Sequence, residues 1–192
     1  MATEYEWKFR SSKAYQSAIA AALTGLRQTI TMQTTYYDTP DGRLSALRYT
    51  LRKRLENNLS VCTLKVPANS GRSEWEVPCD DILQAIPLLV DAGAPEELPR
   101  LVQAGLQPIC GARFTRIAIT EELPDGQVEV ALDQGVLLGG NRERPLFEVE
   151  VELKAGRQSV CDRFARELAH RFALTPEPKS KFARARSLYQ GD

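Results

Sequence analysis

The sequence contains few of the residues that mark common catalytic and metal sites. Among 192 residues there is one histidine, His170, and there are four cysteines, Cys62, Cys79, Cys110 and Cys161, with no C-x-x-C pair among them. Widely spaced cysteines argue against a zinc or disulfide framework and favour buried thiols in a reducing compartment. His170 falls in a segment with helical periodicity, so we expect it on a helix surface and not in a catalytic role.

The chain also lacks long apolar runs and an excess of charge of either sign. No apolar run approaches the roughly 20 residues of a membrane helix, and the first residues form no apolar signal segment. The 25 basic residues balance the 25 acidic ones, which argues against a surface for indiscriminate nucleic-acid or membrane binding. We therefore expect a cytoplasmic protein without nucleic-acid or membrane partners, whose electrostatic function comes from local segregation of charge.

No repeat, linker or low-complexity tract divides the chain, so we expect a single domain over residues 1–192. Period-two patterns predict eight strands, at about 3–10, 31–38, 46–55, 59–67, 73–78, 113–122, 127–138 and 145–154. Helical periodicity predicts helices at about 12–26, 80–92, 95–104 and 158–172, and one after Pro178. Short turn-like links imply antiparallel neighbours, and hence an α+β fold.

Charged and apolar side chains alternate on nearly every predicted strand. The first strand has its charged residues on one face, namely Glu4, Glu6, Lys8 and Arg10. Taken alone, such alternation is typical of a sheet with one solvated face. The charged faces recur, however, with acids and bases concentrated on different strands, and the opposite faces carry enough aromatic residues to be covered by helices. We therefore predict an eight-stranded antiparallel β-barrel, or tunnel, with a polar charged interior and helices packed outside.

An interior lined by long charged side chains can hold only certain contents. Burying an unpaired charge costs several kcal/mol, so the space must contain paired ions, water or ligands. Carboxylates two residues apart on adjacent strands suit a hard cation such as Mg²⁺ or Mn²⁺, which prefers oxygen ligands. Arginine and lysine suit phosphate, arginine through its bidentate fork. Metal and phosphate together predict a polyphosphate ligand.

The same residues resemble a known family. Glu4-x-Glu6-x-Lys8 is similar to the ExExK signature of the CYTH domain, the triphosphate tunnel metalloenzymes. The similarity continues in the family's order over nearly the whole chain, through Tyr36-Tyr-Asp-Thr-Pro40, Leu51-Arg-x-Arg54, Thr63-Leu-Lys65, Arg72-x-Glu74-Trp-Glu76, Glu148-Val-Glu150-Val-Glu152-Leu-Lys154 and Ser180-Lys181-x-x-Arg184. The resemblance implies an eight-stranded antiparallel tunnel that hydrolyses a triphosphate-bearing substrate with a divalent metal.

The resemblance also implies roles for individual residues. The implied metal ligands are Glu4, Glu6, Glu148 and Glu150, which together with Lys8 form the implied catalytic set. The implied phosphate-binding cations are Lys8, Arg52, Arg54, Lys65, Arg116, Lys181 and Arg184. The acidic residues implied to support these groups, or to hold a second metal, are Glu74, Glu76, Glu129, Asp133 and Glu152. Ala131 stands where some relatives carry an acidic ligand, so Glu129 or Asp133 must substitute there, or the second metal is held more loosely.

Within this family, the favoured prediction is an inorganic triphosphatase that converts tripolyphosphate to diphosphate and phosphate. The recognisable aromatic residues alternate onto the outer, apolar faces and offer no platform for a nucleobase or thiamine. A class IV-type adenylate cyclase, a thiamine or nucleoside triphosphatase, and a non-catalytic polyphosphate-binding module stay open as alternatives. The expected partner is a small polyphosphate substrate, and a homodimer formed through exterior apolar patches is also left open.

Overall fold

A computed structural model describes residues 5–68 and 71–191 of the chain. Its strands are β1 (Glu6–Arg10), β2 (Leu26–Asp38), β3 (Thr50–Glu56), β4 (Leu59–Pro67), β5 (Arg72–Pro78), β6 (Gln107–Leu123), β7 (Gly126–Gly139), β8 (Arg142–Gly156) and β9 (Thr175–Pro176). Its helices are α1 (Lys13–Ala22), α2 (Arg43–Ala46), α3 (Ile82–Asp91), α4 (Leu98–Leu101), α5 (Gln158–Arg171) and α6 (Lys181–Gln190). Every predicted strand and helix has a counterpart, and α2 and β9 are additional. None of the helices in this part of the chain has the length and apolarity that a membrane span requires.

The nine strands form one antiparallel sheet in the order β5-β4-β3-β2-β6-β7-β8-β1-β9. Within the described residues β5 pairs only with β4, so the sheet is open and the predicted closed eight-stranded barrel is not confirmed. At the other end of the sheet, β9 pairs with Phe9 and Arg10 and occupies part of the outer edge of β1. The sheet is nevertheless curved, because side chains from β1 and β5 line the same cavity.

The boundary between α1 and β2 differs from the predicted one. The helix ends at Ala22 and the strand already begins at Leu26, five residues before the predicted start at 31. The first residues of β2 have no strand-like pattern of their own. They are part of the strand because β2 pairs with β6 along its whole length, beginning with Leu26 opposite Thr120. Gly25 permits this close approach, since a Cβ there would lie 1.9 Å from the carbonyl oxygen of Thr120.

The outer face of the sheet is covered by helices, as the alternation predicts. Helices α1 and α5 pack on β1 and β6–β8, where Phe9 and Val149 are buried. The hydroxyl of Tyr5 and the indole Nε1 of Trp7 donate to a carboxylate oxygen of Asp162 on α5, at 2.6 and 2.8 Å. Helices α3 and α4 cover β3–β5 in a second apolar cluster. Phe9, Tyr5 and Trp7 therefore face away from the charged side of β1.

The inner, concave face is only partly polar, which corrects the prediction of a charged interior throughout. Helix α6 packs Ala185 and Leu188 against a group of buried apolar residues on this face, which are Met32, Tyr36, Ala112, Phe114, Leu137 and Leu146. These residues share strand parity with charged ones, as Phe114 does with Arg116, so both kinds lie on one face. The helix thus covers an apolar half of the concave face and leaves a charged half beside it.

We predict that Phe9→Ala lowers the free energy of unfolding by about 3–5 kcal/mol, because the ring is 2% exposed within the cluster under α5. Urea unfolding followed by circular dichroism measures the change. Tyr15→Ala, which removes an exposed ring from α1, is the matched control and should change stability by less than about 0.5 kcal/mol. A Phe9→Ala protein as stable as its parent would contradict the assignment of this side of β1 to the core.

Candidate active site

A cavity of about 310 Å³ lies on the charged half of the concave face, beside the first turn of α6. The cations that line it are Lys8, Arg52, Arg54, Lys65, Arg72, Arg116 and Lys181. The carboxylates that line it are Glu6, Glu74 and Glu150. Among the described lining residues, seven cations therefore face three carboxylates, in a chain with no net charge. This is the local segregation of charge that the composition requires for an electrostatic function.

The cavity brings together nine of the residues that the resemblance implies. They are all of its lining cations except Arg72, and all three of its carboxylates. Glu4 lies outside the described residues, so its role stays a prediction. The other implied residues lie behind the cavity or away from it.

Lys181, the first residue of α6, is the centre of an ion cluster at the back of the cavity. Its Nζ lies 2.8 Å from Asp133 Oδ2 and 2.7 Å from Glu150 Oε1, and it also binds Glu148 Oε1. Asp133 and Glu148 are fully buried. Burial opposes the charge on Lys181, but Glu150, Asp133 and Glu148 outweigh it and hold the pKa of Lys181 well above its usual value. The lysine is therefore a permanent cation.

Two arginines complete the cluster. Arg116 binds Asp133 through Nε at 2.7 Å and Nη2 at 2.8 Å, and its Nη2 lies 2.5 Å from Glu150 Oε2. Arg184 Nη2 binds the second oxygen of Glu148. Each of the six oxygens of the three carboxylates thus has a cationic partner. One oxygen from each carboxylate lies within 4.8 Å of the other two, which is close enough for a shared metal, but Lys181 Nζ already binds an oxygen of each.

The two carboxylates that β8 contributes differ in their tendency to ionise. Burial raises the pKa of Glu148 to about 7, although Lys181 and Arg184 oppose the rise. Burial acts in the same direction on Glu150, but Lys181 and Arg116 outweigh it and hold the pKa of Glu150 well below its usual value. At neutral pH Glu150, the one of these two carboxylates that lines the cavity, is therefore ionised, as a ligand of a cation must be.

The opposite wall comes from β3, β4 and β5 and has unsatisfied donors. Arg52 Nη2 lies 3.4 Å from Glu74 and 3.5 Å from Glu76, and Lys65 Nζ lies 2.9 Å from Glu74. Among the described residues, the Nε atoms of Arg52 and Arg54 are buried without a hydrogen-bond partner. Burial, and next the neighbouring Arg52, lower the pKa of Arg54. Because buried donors without acceptors are costly, this wall is suited to an anionic ligand that supplies oxygens.

Four of the five implied supporting acids do not line the cavity, and one of them is Asp133 in the buried cluster. Glu76, whose side chain is half-exposed, accepts a hydrogen bond from Thr63 Oγ1 at 2.9 Å. Glu129 and Glu152 lie opposite each other on β7 and β8, and Glu152 pairs with Lys154 at 3.1 Å. Their roles as supporting groups or second-metal ligands stay predictions.

Arg72 is a lining cation that the sequence analysis did not assign to the site. It lies at the exposed mouth of the cavity, where its Nη2 donates to the carbonyl oxygens of Arg48 at 2.7 Å and Lys65 at 3.1 Å, and to Thr50 Oγ1 at 3.1 Å. The signal was present in the sequence, because Arg72 has the same strand parity as Glu74. All three acceptors are uncharged, so they leave the positive charge of Arg72 unneutralised.

Two aromatic rings also line the cavity, which corrects the expectation that the aromatic residues lie only on outer faces. The ring centroids of Tyr36 and Phe182 are 5.0 Å apart, and the rings are tilted by 52°. Tyr36 lies on the concave side because it shares parity with Met32 on β2. Phe182 belongs to α6. The periodicity of the strands does not reveal that this helix packs on the concave face of the sheet.

The histidine and three of the four cysteines lie where the sequence predicts, whereas Cys79 is only partly buried. His170 is exposed near the end of α5 and does not line the cavity. All four cysteines are free thiols, and Cys62, Cys110 and Cys161 are buried. Burial raises the pKa of Cys62 and of Cys110 to about 12, so these thiols are structural and unreactive at neutral pH.

Comparison with known proteins matches residues 2–185 to the CYTH domain family. An inorganic triphosphatase of Haemophilus influenzae is 33% identical over 142 residues, which are 71% of this chain and 39% of that relative, so the chain spans well under half of the relative's length. Among solved structures, the putative adenylyl cyclase HpAC1 from Hippeastrum, described as having a dominant triphosphatase activity, has a TM-score of 0.69 at 20% identity and covers 96% of both chains. The PH1819 protein of Pyrococcus horikoshii has a TM-score of 0.64 at 16% identity, covering 99% of this chain and all of its own. At such identities these structures show a shared fold.

We predict that the buried ion cluster couples Lys181 energetically to Glu148. Lys181→Met leaves buried carboxylates without one of their cations and should lower the free energy of unfolding by about 3–5 kcal/mol. Adding Glu148→Gln should restore part of this loss, so the double variant is less destabilised than the sum of the single changes. Urea unfolding of the four proteins at pH 7 measures the coupling.

The exposed Lys13 on α1 provides the control for that cycle. Lys13→Met should change stability by less than about 0.5 kcal/mol and should show no coupling to Glu148→Gln. Additive effects of Lys181→Met and Glu148→Gln would show that the two side chains do not share a cluster in solution.

Proposed function

The chain belongs to the CYTH domain family, and from that premise we propose that it is a metal-dependent hydrolase that splits inorganic tripolyphosphate into diphosphate and phosphate. The observation that carries the proposal is the cavity, whose described lining residues include seven cations and three carboxylates. A linear polyphosphate carries anionic oxygens along its whole length and can meet cations on both walls at once. The relative named an inorganic triphosphatase supports the same substrate class.

The substrate would lie between two walls of cations. Arg52, Arg54 and Lys65 would bind it from β3 and β4, and the buried Nε donors of both arginines would gain the acceptors that they lack. Arg116 and Lys181 would bind it from the opposite wall. Because carboxylates already hold these two cations in position, they need little reorganisation when negative charge moves onto the leaving group.

The carboxylates Glu6 and Glu150 fit a divalent metal such as Mg²⁺ or Mn²⁺. They lie on the adjacent strands β1 and β8 as diagonal neighbours, since Lys8 is the residue directly opposite Glu150. Each oxygen of Glu150 accepts from one cation and keeps a lone pair, so it can still ligate a metal. Glu4 remains a predicted third ligand. Glu148 is fully buried and does not line the cavity, so it would instead support Lys181.

When bound, the metal would neutralise phosphate charge and activate a water molecule for attack. The chain's own contribution is to fix the phosphate oxygens. Lys181 and Arg116 have raised pKa values, despite burial, because of their carboxylate partners, so they would stabilise charge and not donate protons. Burial lowers the pKa of Lys8, but Glu6, together with Glu150 and Glu148, outweighs burial and raises it. Water acts as the nucleophile, so no side chain needs to form a covalent intermediate.

A nucleoside triphosphate is the second candidate substrate, for hydrolysis or for cyclisation to cyclic AMP. Tyr36 and Phe182 on the cavity wall favour it, since an aromatic ring can stack on a base. The structural relative described as a putative adenylyl cyclase points the same way. Tyr36 is buried and packs against Phe182, however, which leaves little ring face for a base. Inorganic tripolyphosphate is therefore the better-supported substrate.

The test is an assay of the purified chain with tripolyphosphate, ATP or thiamine triphosphate, each with Mg²⁺ or Mn²⁺, with identification of the products. We predict phosphate release that is fastest from tripolyphosphate and that is abolished by a metal chelator. Glu6→Gln should abolish turnover with little loss of stability, and it serves as the control for contaminating phosphatase. Cyclic AMP as the main product would overturn the proposal, and polyphosphate binding without turnover would favour a non-catalytic module.

Arg72 is predicted to bind substrate at the mouth of the cavity. Arg72→Ala should raise the KM for tripolyphosphate by about tenfold or more with a smaller change in kcat, as expected for the loss of a charge-assisted contact. Arg72→Lys should recover part of the affinity, because it restores the charge without the fork. Arg100→Ala, an exposed arginine on α4, is the matched control. An unchanged KM in Arg72→Ala would remove this residue from the site.

A further inference from the structure

A second cavity, of about 380 Å³, lies beyond Arg184, and none of the described residues lines both cavities. Among the described residues, four cations and one carboxylate line it, which are Arg10, Arg144, Lys179, Arg184 and Glu177. Arg184 separates the two cavities, because its Nη2 binds Glu148, and Glu148 binds Lys181 of the first cavity. The resemblance implied a phosphate-binding role for Arg184, but its side chain lines this second cavity.

Glu177 does not neutralise the second cavity. Its Oε2 accepts from Arg10 Nε at 2.8 Å and lies 3.6 Å from Arg184 Nη1, while its Oε1 accepts from the backbone N–H of Lys179 at 3.0 Å. Burial raises the pKa of Glu177, but these bonds and the two arginines outweigh burial and lower it, so the group stays ionised. One carboxylate therefore binds two guanidinium groups, and the described part of the lining keeps an excess of three positive charges.

Arg144, Lys179 and Arg184 have hydrogen-bond donors that are available to a ligand. Arg144 and Lys179 are exposed, and their side chains form no ion pair with the part of the chain that the structure describes. The Nε of Arg184 is buried, again without a hydrogen-bond partner among the described residues. An anion in the cavity would give acceptors to all three groups.

We propose that the second cavity is an anion site that binds inorganic phosphate or diphosphate. Its cations come from β1, from β8, from the segment between β9 and α6, and from α6 itself, so they surround the space from several directions. Such an arrangement suits a tetrahedral phosphate group, which presents oxygens in all directions, better than a planar carboxylate. Ser11 and Ser187 also line the cavity, and a serine hydroxyl can donate to a phosphate oxygen. This inference does not depend on hydrolysis in the first cavity.

Isothermal titration calorimetry with diphosphate, and separately with orthophosphate, tests the proposal in metal-free buffer at constant ionic strength. The parent chain should bind diphosphate at two classes of site. The double variant Arg144→Ala/Lys179→Ala should lose affinity at one class by about tenfold or more and keep the other class and any turnover unchanged. A double variant of the first cavity, Lys65→Ala/Arg72→Ala, should weaken only the other class.

The control is Lys13→Ala/Arg100→Ala, which removes the same two charges from exposed positions elsewhere. Circular dichroism and thermal melting check that each variant is folded. The proposal would be overturned if the chain showed a single class of sites that Arg144→Ala/Lys179→Ala does not affect. An equal loss of affinity in the control would also overturn it, because the change in overall charge would then explain the loss. If the chain hydrolyses none of the triphosphates but keeps a site sensitive to Arg144→Ala/Lys179→Ala, the proposed function fails and the second site stands.

Discussion

The buried ammonium group of Lys181 is the interaction on which the rest of the site depends. A lysine at this depth stays charged only because Asp133, Glu148 and Glu150 surround its Nζ. Since Lys181 begins α6, the same contacts fix the start of that helix on the sheet. The remainder of α6 packs by apolar contact through residues such as Leu188. The ion cluster therefore lies at the boundary between two parts of the concave face, the apolar part that α6 covers and the charged part that forms the cavity.

The acidic residues behind the cavity hold the cations that line it in fixed positions. A buried ion cluster seldom stabilises a fold more than apolar residues of the same volume would, because desolvation of the charges offsets their attraction. The gain lies in the site: Arg116 and Lys181 are held as fixed cations before any ligand arrives, which is the arrangement that stabilises developing negative charge. Glu150 serves both purposes, since it holds these cations and also lines the cavity.

Strand parity in the sequence predicts much of the site and less of the fold around it. Alternation assigns Lys8, Arg54 and Glu150 to one face of the sheet, and all three line the cavity. Parity cannot separate Phe114 from Arg116, because only the long-range contact with α6 decides which half of the face is covered. Closure of the sheet is equally non-local, and the pairing of the two-residue β9 with β1 had no signal in the sequence. Whether a carboxylate reaches the cavity depends on which cations bind it. These contacts join residues far apart in the chain, so the sequence pattern does not predict them.

The distribution of charge over the whole chain bears on how a polyanion would reach the cavities. Both cavities carry a positive excess, so a chain with zero net charge must have negative surface elsewhere. Residues 79–106 supply part of it, with five acidic residues and one basic residue, and α3 and α4 hold this segment on the outer side of β3–β5. A polyphosphate would be repelled from that outer surface and attracted to the concave one. Because salt screens such fields over about 10 Å, this steering would speed association chiefly at low ionic strength, whereas contacts inside the cavity would persist.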